Sequence, residues 1–239
     1  MYFFLTLPIT ALFLYDVHFR QHLFNYCIRQ SNKIRPPKYV FVGDSITAGG
    51  LNWGWRLDRN LVAATSFGLH GYQANQLVGS VKSGTALRPK FFHLLVGTND
   101  ALAQKPVAEF SRDFRTLVEL VAKSNATLVV TLVPYQGDAA QTELIQSHNA
   151  EIATLQYEFN FRTVDLNPVI APEGVLLPQY SDDGIHFTPD AYNVWIERLK
   201  PVMDAAMIDR SSPDMNGFAK SVRYHFPEKS VGKMDVIFL

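Results

Sequence analysis

Five short apolar runs, separated by segments with helical spacing, are the feature that most limits how this chain can fold. Each run is short enough for a buried strand, and the longer segments place apolar side chains three and four residues apart. Strands that alternate with helices in this way predict a parallel sheet with helices on both faces. The predicted strands are residues 39–42, 63–67, 91–96, 127–133 and 161–166, and the predicted helices are 53–62, 75–81, 107–124, 139–157 and one that begins at 188–190.

Polar or glycine-containing segments follow three of the predicted strands. Residues 43–45, 68–71 and 97–100 come after the first, second and third strands, and residues 183–186 precede the last helix. Ligands of open α/β sheets bind outside the carboxyl ends of the strands. We therefore expect all four segments to lie along one edge of the sheet and to form the functional site there.

Ser45 is the candidate nucleophile within these segments. A serine hydroxyl needs a base to take its proton, a partner that orients the base, and donors that stabilise the oxyanion. Asp183 and His186 stand three residues apart, so one short loop can supply both the base and its carboxylate. Asn99 offers a side-chain amide, and Gly71 lies in a loop where a backbone N–H can approach a ligand closely.

Four sequence motifs resemble the conserved blocks of the GDSL-type, or SGNH, hydrolases. The order and approximate spacing of the motifs agree with that family over residues 38–207. The resemblance implies an α/β protein with a flavodoxin-like three-layer α/β/α sandwich and a five-stranded parallel sheet. It also implies hydrolysis of acyl esters. The four motifs are residues 43–49 (GDSITAG), 66–71 (SFGLHG), 97–100 (GTND) and 183–188 (DGIHFT).

The resemblance also implies a role for each site residue. Ser45 would be the nucleophile, His186 the general base and then the general acid, and Asp183 the group that orients His186. The oxyanion hole would be the backbone N–H groups of Ser45 and Gly71 with the side chain of Asn99. The sequence departs from the family pattern where Ser66 replaces the usual asparagine, which braces the loop that carries Gly71. No cofactor and no metal is called for.

The activity predicted for this chain is that of a serine esterase or acylhydrolase with a Ser-His-Asp triad and an acyl-enzyme intermediate. Its substrate would be a small-molecule, lipid or glycan acyl ester. Other activities stay open on the same site, namely glycan O-acetyl ester, lysophospholipid or thioester cleavage. A non-catalytic, membrane-tethered binding domain is the remaining alternative.

Several residues near the motifs admit a structural interpretation. We expect His70 to be a loop or wall residue, His93 a core histidine with its hydrogen bonds satisfied, and His148 a solvated residue in mid-helix. Asp182 competes with Asp183 as the triad acid, and the spacing to His186 favours Asp183.

The remaining candidates adjoin the first and third motifs. Asp44 and Asp100 are interpreted as acceptors that brace their loops rather than as acid–base groups. Trp53 and Trp55 could line a substrate pocket or pack in the core, and the sequence favours neither alternative.

Charge and cysteine content exclude some classes of protein. Lysine plus arginine equals aspartate plus glutamate, at 22 each, so the net charge is zero and no basic surface for nucleic acid is indicated. Cys27 is the single cysteine, which excludes an intramolecular disulfide and a cysteine-rich zinc site.

The two ends of the chain lie outside the family resemblance. Residues 1–36 form an apolar segment in which residues 1–24 could anchor in a membrane; by the positive-inside tendency, the basic residues that follow would then keep the domain in the cytoplasm. The alternatives are a helix that packs on the domain or an extension from a misplaced start codon. The predicted hydrolase domain covers residues 37–208, and residues 209–239 are a C-terminal tail.

Overall fold

The computed structural model describes residues 26–28, 30–32 and 34–211. The predicted anchor at residues 1–24 and nearly all of the predicted tail at 209–239 therefore lie outside the described residues. Among the helices in the described part of the chain, none combines the length and apolar character needed to cross a bilayer. Two compact units divide between Asp204 and Ala205, inside the last helix.

The sheet has five parallel strands in the order β2-β1-β3-β4-β5. This is the flavodoxin-like strand order, so the predicted fold class is confirmed. The strands are shorter than the apolar runs suggest at β4 and β5, because the end of each run continues as loop. The bounds are β1 Tyr39–Gly43, β2 Ala64–Gly68, β3 Phe91–Leu95, β4 Thr127–Thr131 and β5 Arg162–Val164.

Each predicted helix is present, although the helix predicted at 53–62 ends at Asp58 and the helix predicted at 75–81 is a 3₁₀ turn followed by a helix that ends at Ala86. Three short helices are added, directly after strands or in the loop after β5. The additions are α1 Ser45–Gly49, α4 Thr98–Leu102 and α7 Asn167–Ile170. The other helices are α2 Trp53–Asp58, α3 Val78–Ala86, α5 Val107–Ala122, α6 Thr142–Phe159 and α8 Pro189–Ser211. Single 3₁₀ turns at Ala74–Leu77, Ala139–Gln141 and Pro178–Tyr180 complete the described elements.

One face of the sheet is covered by α3, α5 and α6. Val42, Leu94 and Val130 point to this face and are fully buried, because alternate residues of a strand share a face. They pack in one cluster with the inner stripe of α5, which includes Phe110 and Phe114.

The opposite face is covered by aromatic side chains from α2 and α8. Phe41 stacks on Trp53 with ring centroids 4.4 Å apart, and His93 lies 5.5 Å from Trp195. The indole N–H of Trp195 donates to Thr131 Oγ1 at 2.9 Å. Helices on both faces leave the carboxyl edge of the sheet as the open surface on which a site can form.

Candidate active site

Ser45 is the first residue of α1 and follows directly from β1. Asp44 caps this helix by accepting the N–H of Ile46 at 3.0 Å, and Tyr192 of α8 donates its hydroxyl to the Ile46 carbonyl at 2.7 Å. Gly43 is required before this turn, because a Cβ there would collide with the carbonyl oxygen of Leu95. The backbone of the turn is thus fixed, and only 7% of Ser45 remains exposed.

Ser45, His186 and Asp183 form a continuous chain of contacts. His186 Nε2 lies 2.9 Å from Ser45 Oγ, and His186 Nδ1 lies 2.6 Å from Asp183 Oδ2. Ser45 and His186 are 141 residues apart in the sequence, so only the fold brings them together. In this arrangement the imidazole can accept the serine proton at Nε2 while Nδ1–H donates to the carboxylate.

The loop that carries His186 is held by hydrogen bonds to the Asp183 carboxylate. Asp183 Oδ1 accepts the N–H groups of Ile185 at 2.9 Å and His186 at 2.7 Å, and the Ser181 hydroxyl at 3.2 Å. The hydrogen bond to the imidazole, followed by these backbone donors, lowers the pKa of Asp183 well below its ordinary value. Asp183 therefore stays ionised at neutral pH and can stabilise a protonated His186.

A second loop, after β4, is hydrogen-bonded to the loop that carries His186. The N–H of Gly137 donates to the carbonyl of Gly184 at 2.7 Å. A Cβ on Gly137 would lie 2.8 Å from the Gly184 Cα, so both positions need glycine for this close approach. Gly184 also has a φ of +79°, a conformation that glycine adopts at no steric cost.

The predicted oxyanion donors follow the neighbouring strands β2 and β3. Asn99 lies in the first turn of α4, and its Nδ2 donates to the Tyr72 carbonyl at 3.0 Å. One of the two amide hydrogens of Asn99 remains for a ligand. Gly71 has a φ of +75° and is exposed. Its N–H makes no hydrogen bond within the described residues.

A buried ion network fixes these two donor segments to each other. Asp100 accepts the Ala74 N–H at 3.0 Å and contacts Lys105 Nζ at 2.7 Å, and Lys105 Nζ also lies 3.1 Å from Asp113. Asp100 is fully buried. Burial by itself lowers the pKa of Lys105, but hydrogen bonds to two carboxylates outweigh it and leave this pKa raised. Lys105 therefore stays charged and compensates Asp100.

The Asp100 network also matters for the loop that carries Gly71, where Ser66 replaces the asparagine usual in the family. Ser66 Oγ accepts the Gly68 N–H at 3.4 Å, a long hydrogen bond at the position of that bracing asparagine. Asp100 and Asn99, which contact Ala74 and Tyr72, hold the segment after Gly71 in its place. The sequence interpretation identified Asp100 as a brace but missed Lys105 and Asp113, since no motif includes them.

Asp44, the residue before Ser45, is fully buried. Its Oδ2 has no hydrogen-bond partner within the described residues. Burial raises the pKa of Asp44 to about 7, and the nearby charge of Asp100 acts in the same direction. Asp44 accepts a backbone N–H as predicted, and it is about half protonated near pH 7.

The prediction for His148 was wrong. His148 is fully buried, stacks on Phe110 with ring centroids 4.1 Å apart, and places Nε2 3.3 Å from the Lys105 carbonyl. It shares the inner stripe of α6 with Ile145 and Ile152, three and four residues away, so the helical periodicity could have placed it inside.

His93 and His70 occupy environments close to those expected from the sequence. His93 is buried in β3 with Nε2 2.8 Å from Thr131 Oγ1, but its Nδ1 has no partner within the described residues, so only one of its two nitrogens is satisfied. Burial lowers the pKa of His93 to about 3, which keeps it neutral. His70 is exposed in the loop that carries Gly71.

The remaining candidates, Trp53, Trp55 and Asp182, differ in burial and in their contacts. Trp53 is a core residue whose indole N–H donates to the Thr47 carbonyl at 3.0 Å, whereas Trp55 is 48% exposed. Asp182 is exposed and makes no contact with His186 among the described hydrogen bonds, which all run from His186 to Asp183 and Ser45.

A parallel α/β sheet with a serine, a histidine and an aspartate in contact at its carboxyl edge is typical of α/β serine hydrolases. The chain belongs to the GDSL-like lipase/acylhydrolase family, whose model matches residues 41–194. It is accordingly a hydrolase that acts on carboxylic ester bonds. Comparison with curated proteins gave no significant match.

Solved structures share this fold at low sequence identity. A GDSL-like lipase from Bacteroides thetaiotaomicron is 21% identical with a TM-score of 0.64, over 74% of this chain and 90% of that one. An acetylxylan esterase from Geobacillus stearothermophilus is 15% identical with a TM-score of 0.56, over 70% and 94%. A psychrotrophic esterase from Pseudoalteromonas, in a structure inhibited by monoethylphosphonate, is 12% identical with a TM-score of 0.58, over 72% and 99%.

Proposed function

We propose that this protein is a serine esterase in which Ser45 is the nucleophile, His186 the general base and acid, and Asp183 the orienting carboxylate. The observation that carries the proposal is the chain of two short contacts, 2.9 Å from Ser45 Oγ to His186 Nε2 and 2.6 Å from His186 Nδ1 to Asp183 Oδ2. Each atom has the partner that its role requires before any substrate is bound.

The first step transfers the acyl group to the enzyme. Ser45 Oγ attacks the ester carbonyl carbon while its proton passes to His186 Nε2. The tetrahedral intermediate then collapses, the bond to the alcohol oxygen breaks, and the alcohol leaves with the proton from His186. The acyl group remains on Ser45 as an ester.

The second step restores the enzyme by hydrolysis. A water molecule gives a proton to His186 Nε2 and attacks the acyl carbon, and the bond to Ser45 Oγ then breaks as the serine regains its proton. One ester and one water thus give one acid and one alcohol. Asp183 stays ionised throughout, in keeping with its lowered pKa, and stabilises the imidazolium that forms in both steps.

The oxyanion of both intermediates would be stabilised by three donors. The Ser45 N–H is the first of α1 and has no acceptor within the helix, the Gly71 N–H is unpaired among the described residues, and Asn99 keeps one amide hydrogen. Donors that are fixed before the reaction stabilise developing charge without having to reorganise, which is the reason for assigning this role to them.

The proposal is tested by hydrolysis of p-nitrophenyl esters with acyl chains of 2 to 16 carbons. We expect wild-type turnover on part of this series and a loss of at least about 10⁴-fold in kcat for Ser45→Ala. Ser83→Ala, which alters an exposed serine of α3, is the matched control and should retain wild-type kcat. Equal activity of Ser45→Ala and wild type, or no hydrolysis of any ester by the folded wild type, would overturn the proposal.

A further inference from the structure

A groove of about 350 Å³ opens beside the base loop, between α4 and residues 183–185. Leu102, at the end of the helix that begins with Thr98 and carries Asn99, forms one wall, and Ile185 and Asp183 form another. The groove therefore adjoins the helix that carries Asn99 and the loop that carries His186. Its volume is at the lower end of the range for small-molecule sites, about 300–1,000 Å³.

The position of this groove relates it to the alcohol half of an ester. In the proposed mechanism the departing alcohol oxygen receives its proton from His186 Nε2, so the alcohol must lie next to the base loop. The Leu102–Ile185 groove is walled by the three residues that precede His186 in that loop. In that mechanism a group attached to the alcohol oxygen would extend towards residues 183–185 while the acyl carbon stays at Ser45.

The polar lining of the groove offers an unused acceptor and an unused donor. Asp138 Oδ1 accepts the Ala140 N–H at 2.9 Å, but Oδ2 makes no hydrogen bond within the described residues. Gln141 Oε1 accepts from Gln104 at 2.7 Å, while its Nε2 donates to no described group. These free atoms stand on the same lining as the aliphatic Leu102 and Ile185, a mixture that suits hydroxyl groups on a carbon ring.

The charge around the groove is uniformly negative. Asp138 and Asp183 line it, and a neighbouring groove on the other side of Gly184 is lined by Glu173 and Asp182. No lysine or arginine occurs among the described lining residues of either groove. An anionic group such as a phosphate would meet repulsion and find no cation to bind it.

We propose that the Leu102–Ile185 groove binds the alcohol part of the substrate and that this part is an uncharged polyhydroxylated ring, as in an O-acylated sugar. The inference rests on the proposed function, because the groove is assigned through the proton that His186 gives to the leaving alcohol. It selects one substrate class among the acyl esters that the triad could cleave, and it disfavours phosphate-bearing lipids.

The test compares four acetate esters that share the acyl group and differ in the alcohol. They are a mono-O-acetylated methyl glucoside, ethyl acetate, acetylcholine and an acetylated glycerol phosphate, and the readout is kcat/KM for acetate release. We expect the glucoside ester to exceed ethyl acetate by about tenfold or more, which corresponds to one or two net hydrogen bonds. The glycerol phosphate ester should fall below ethyl acetate.

Asp138→Asn identifies the groove as the source of this preference. Asparagine can still accept the Ala140 N–H, but it lacks the negative charge that strengthens a hydrogen bond from a sugar hydroxyl, so the ratio of the glucoside value to the ethyl acetate value should fall by about tenfold. Asp165→Asn is the matched control, since Asp165 Oδ1 accepts the Asn167 N–H at 2.9 Å in the same local geometry, away from the groove lining.

Three results would overturn the inference: no preference for the glucoside over ethyl acetate, a preference for acetylcholine over the glucoside, or equal effects of Asp138→Asn and Asp165→Asn. The failure of the proposed function gives a different result. In that case none of the four acetates is hydrolysed in a manner that depends on Ser45.

Discussion

The base side of the site, residues 183–186, is open to solvent and held by short-range contacts. The oxyanion side is held by buried charges, and Asp100 among them contacts Ala74, 26 residues away in the sequence. The side chains of Asp183 and His186 are each 53% exposed, and three of the contacts of Asp183 are made with residues 185 and 186. Asp100 is 0% exposed, and its carboxylate links Ala74 to Lys105.

Because of this difference, substitutions on the two sides of the site should affect different properties of the protein. A change on the base side removes a chemical function from a loop whose backbone is otherwise supported, so activity should fall while stability stays. A change in the buried network leaves an uncompensated charge in the interior, so stability should fall as well. The four predictions below test this separation.

The largest effect is expected for Asp183→Asn. The amide cannot stabilise the imidazolium and can hold the wrong tautomer of His186, so kcat should fall by up to about 10⁴-fold. The free energy of unfolding should change by less than about 1 kcal/mol, since the side chain is half exposed. Steady-state kinetics and urea denaturation measure the two effects.

The control for this prediction is Asp182→Asn, in the adjacent exposed position. It should retain kcat within about threefold of wild type, as a surface substitution without a partner in the triad. A larger loss of kcat for Asp182→Asn than for Asp183→Asn would assign the triad acid to Asp182.

The next effect is expected for Lys105→Met, and it acts on stability. The substitution keeps most of the side-chain length but leaves the buried Asp100 without its cation, whereas Asp113 keeps its contact with Arg112. The loss should cost about 3–5 kcal/mol of unfolding free energy. Lys38→Met removes the half-exposed ion pair with Asp58 and should cost less than about 1 kcal/mol. Equal losses in urea denaturation would contradict the role given to the buried network.

Asn99→Ala should lower kcat by about 10²–10³-fold, the effect of one lost oxyanion donor. KM should change little, because the hydrogen bond strengthens only in the transition state. Asn75→Ala, at an exposed position of the nearby 3₁₀ turn, is the control and should behave as wild type. A rise in KM with unchanged kcat for Asn99→Ala would show that the amide binds substrate instead.

The last prediction concerns Asp44 and the pH dependence of stability, and its effect is the smallest when it is taken per unit of pH. Its folded pKa of about 7 lies above the ordinary 3.8, so the folded protein binds a proton that the unfolded chain releases between these values. The free energy of unfolding should therefore fall as pH rises from about 4 to about 7, by up to about 1.4 kcal/mol per pH unit.

Denaturation of Asp44→Asn at several pH values isolates this contribution. The variant should lack that part of the slope and should gain stability relative to wild type as pH rises towards 7. Parallel pH profiles for wild type and variant would show that the buried carboxyl does not hold its proton.

The contrast between the two sides also explains what could be read from the sequence. The Asp183 and His186 pair lies within four residues, and the strand-end positions of Ser45, Gly71 and Asn99 follow from the alternation of strands and helices. Each of these signals is local or periodic, so it can be recognised in the amino-acid sequence without knowledge of the tertiary contacts.

The rest of the site depends on contacts that no local pattern records. Asp100 meets Ala74 across 26 residues, and Gly137 meets Gly184 across two separate loops. Lys105 resembles any surface lysine in the sequence, and its burial is decided by the packing of α4 and the segment after it near α5. His148 is different, because its inner position follows from the stripe of Ile145 and Ile152 and was missed.

The most direct test of the account is to label the protein with a fluorophosphonate and locate the adduct by mass spectrometry. The account predicts one adduct per chain on Ser45, no adduct in Ser45→Ala, and much slower labelling in His186→Ala, because the serine then lacks its base. An adduct on another residue, or labelling of Ser45 at the same rate in His186→Ala, would contradict the assignment of Ser45 and His186 as the reacting pair.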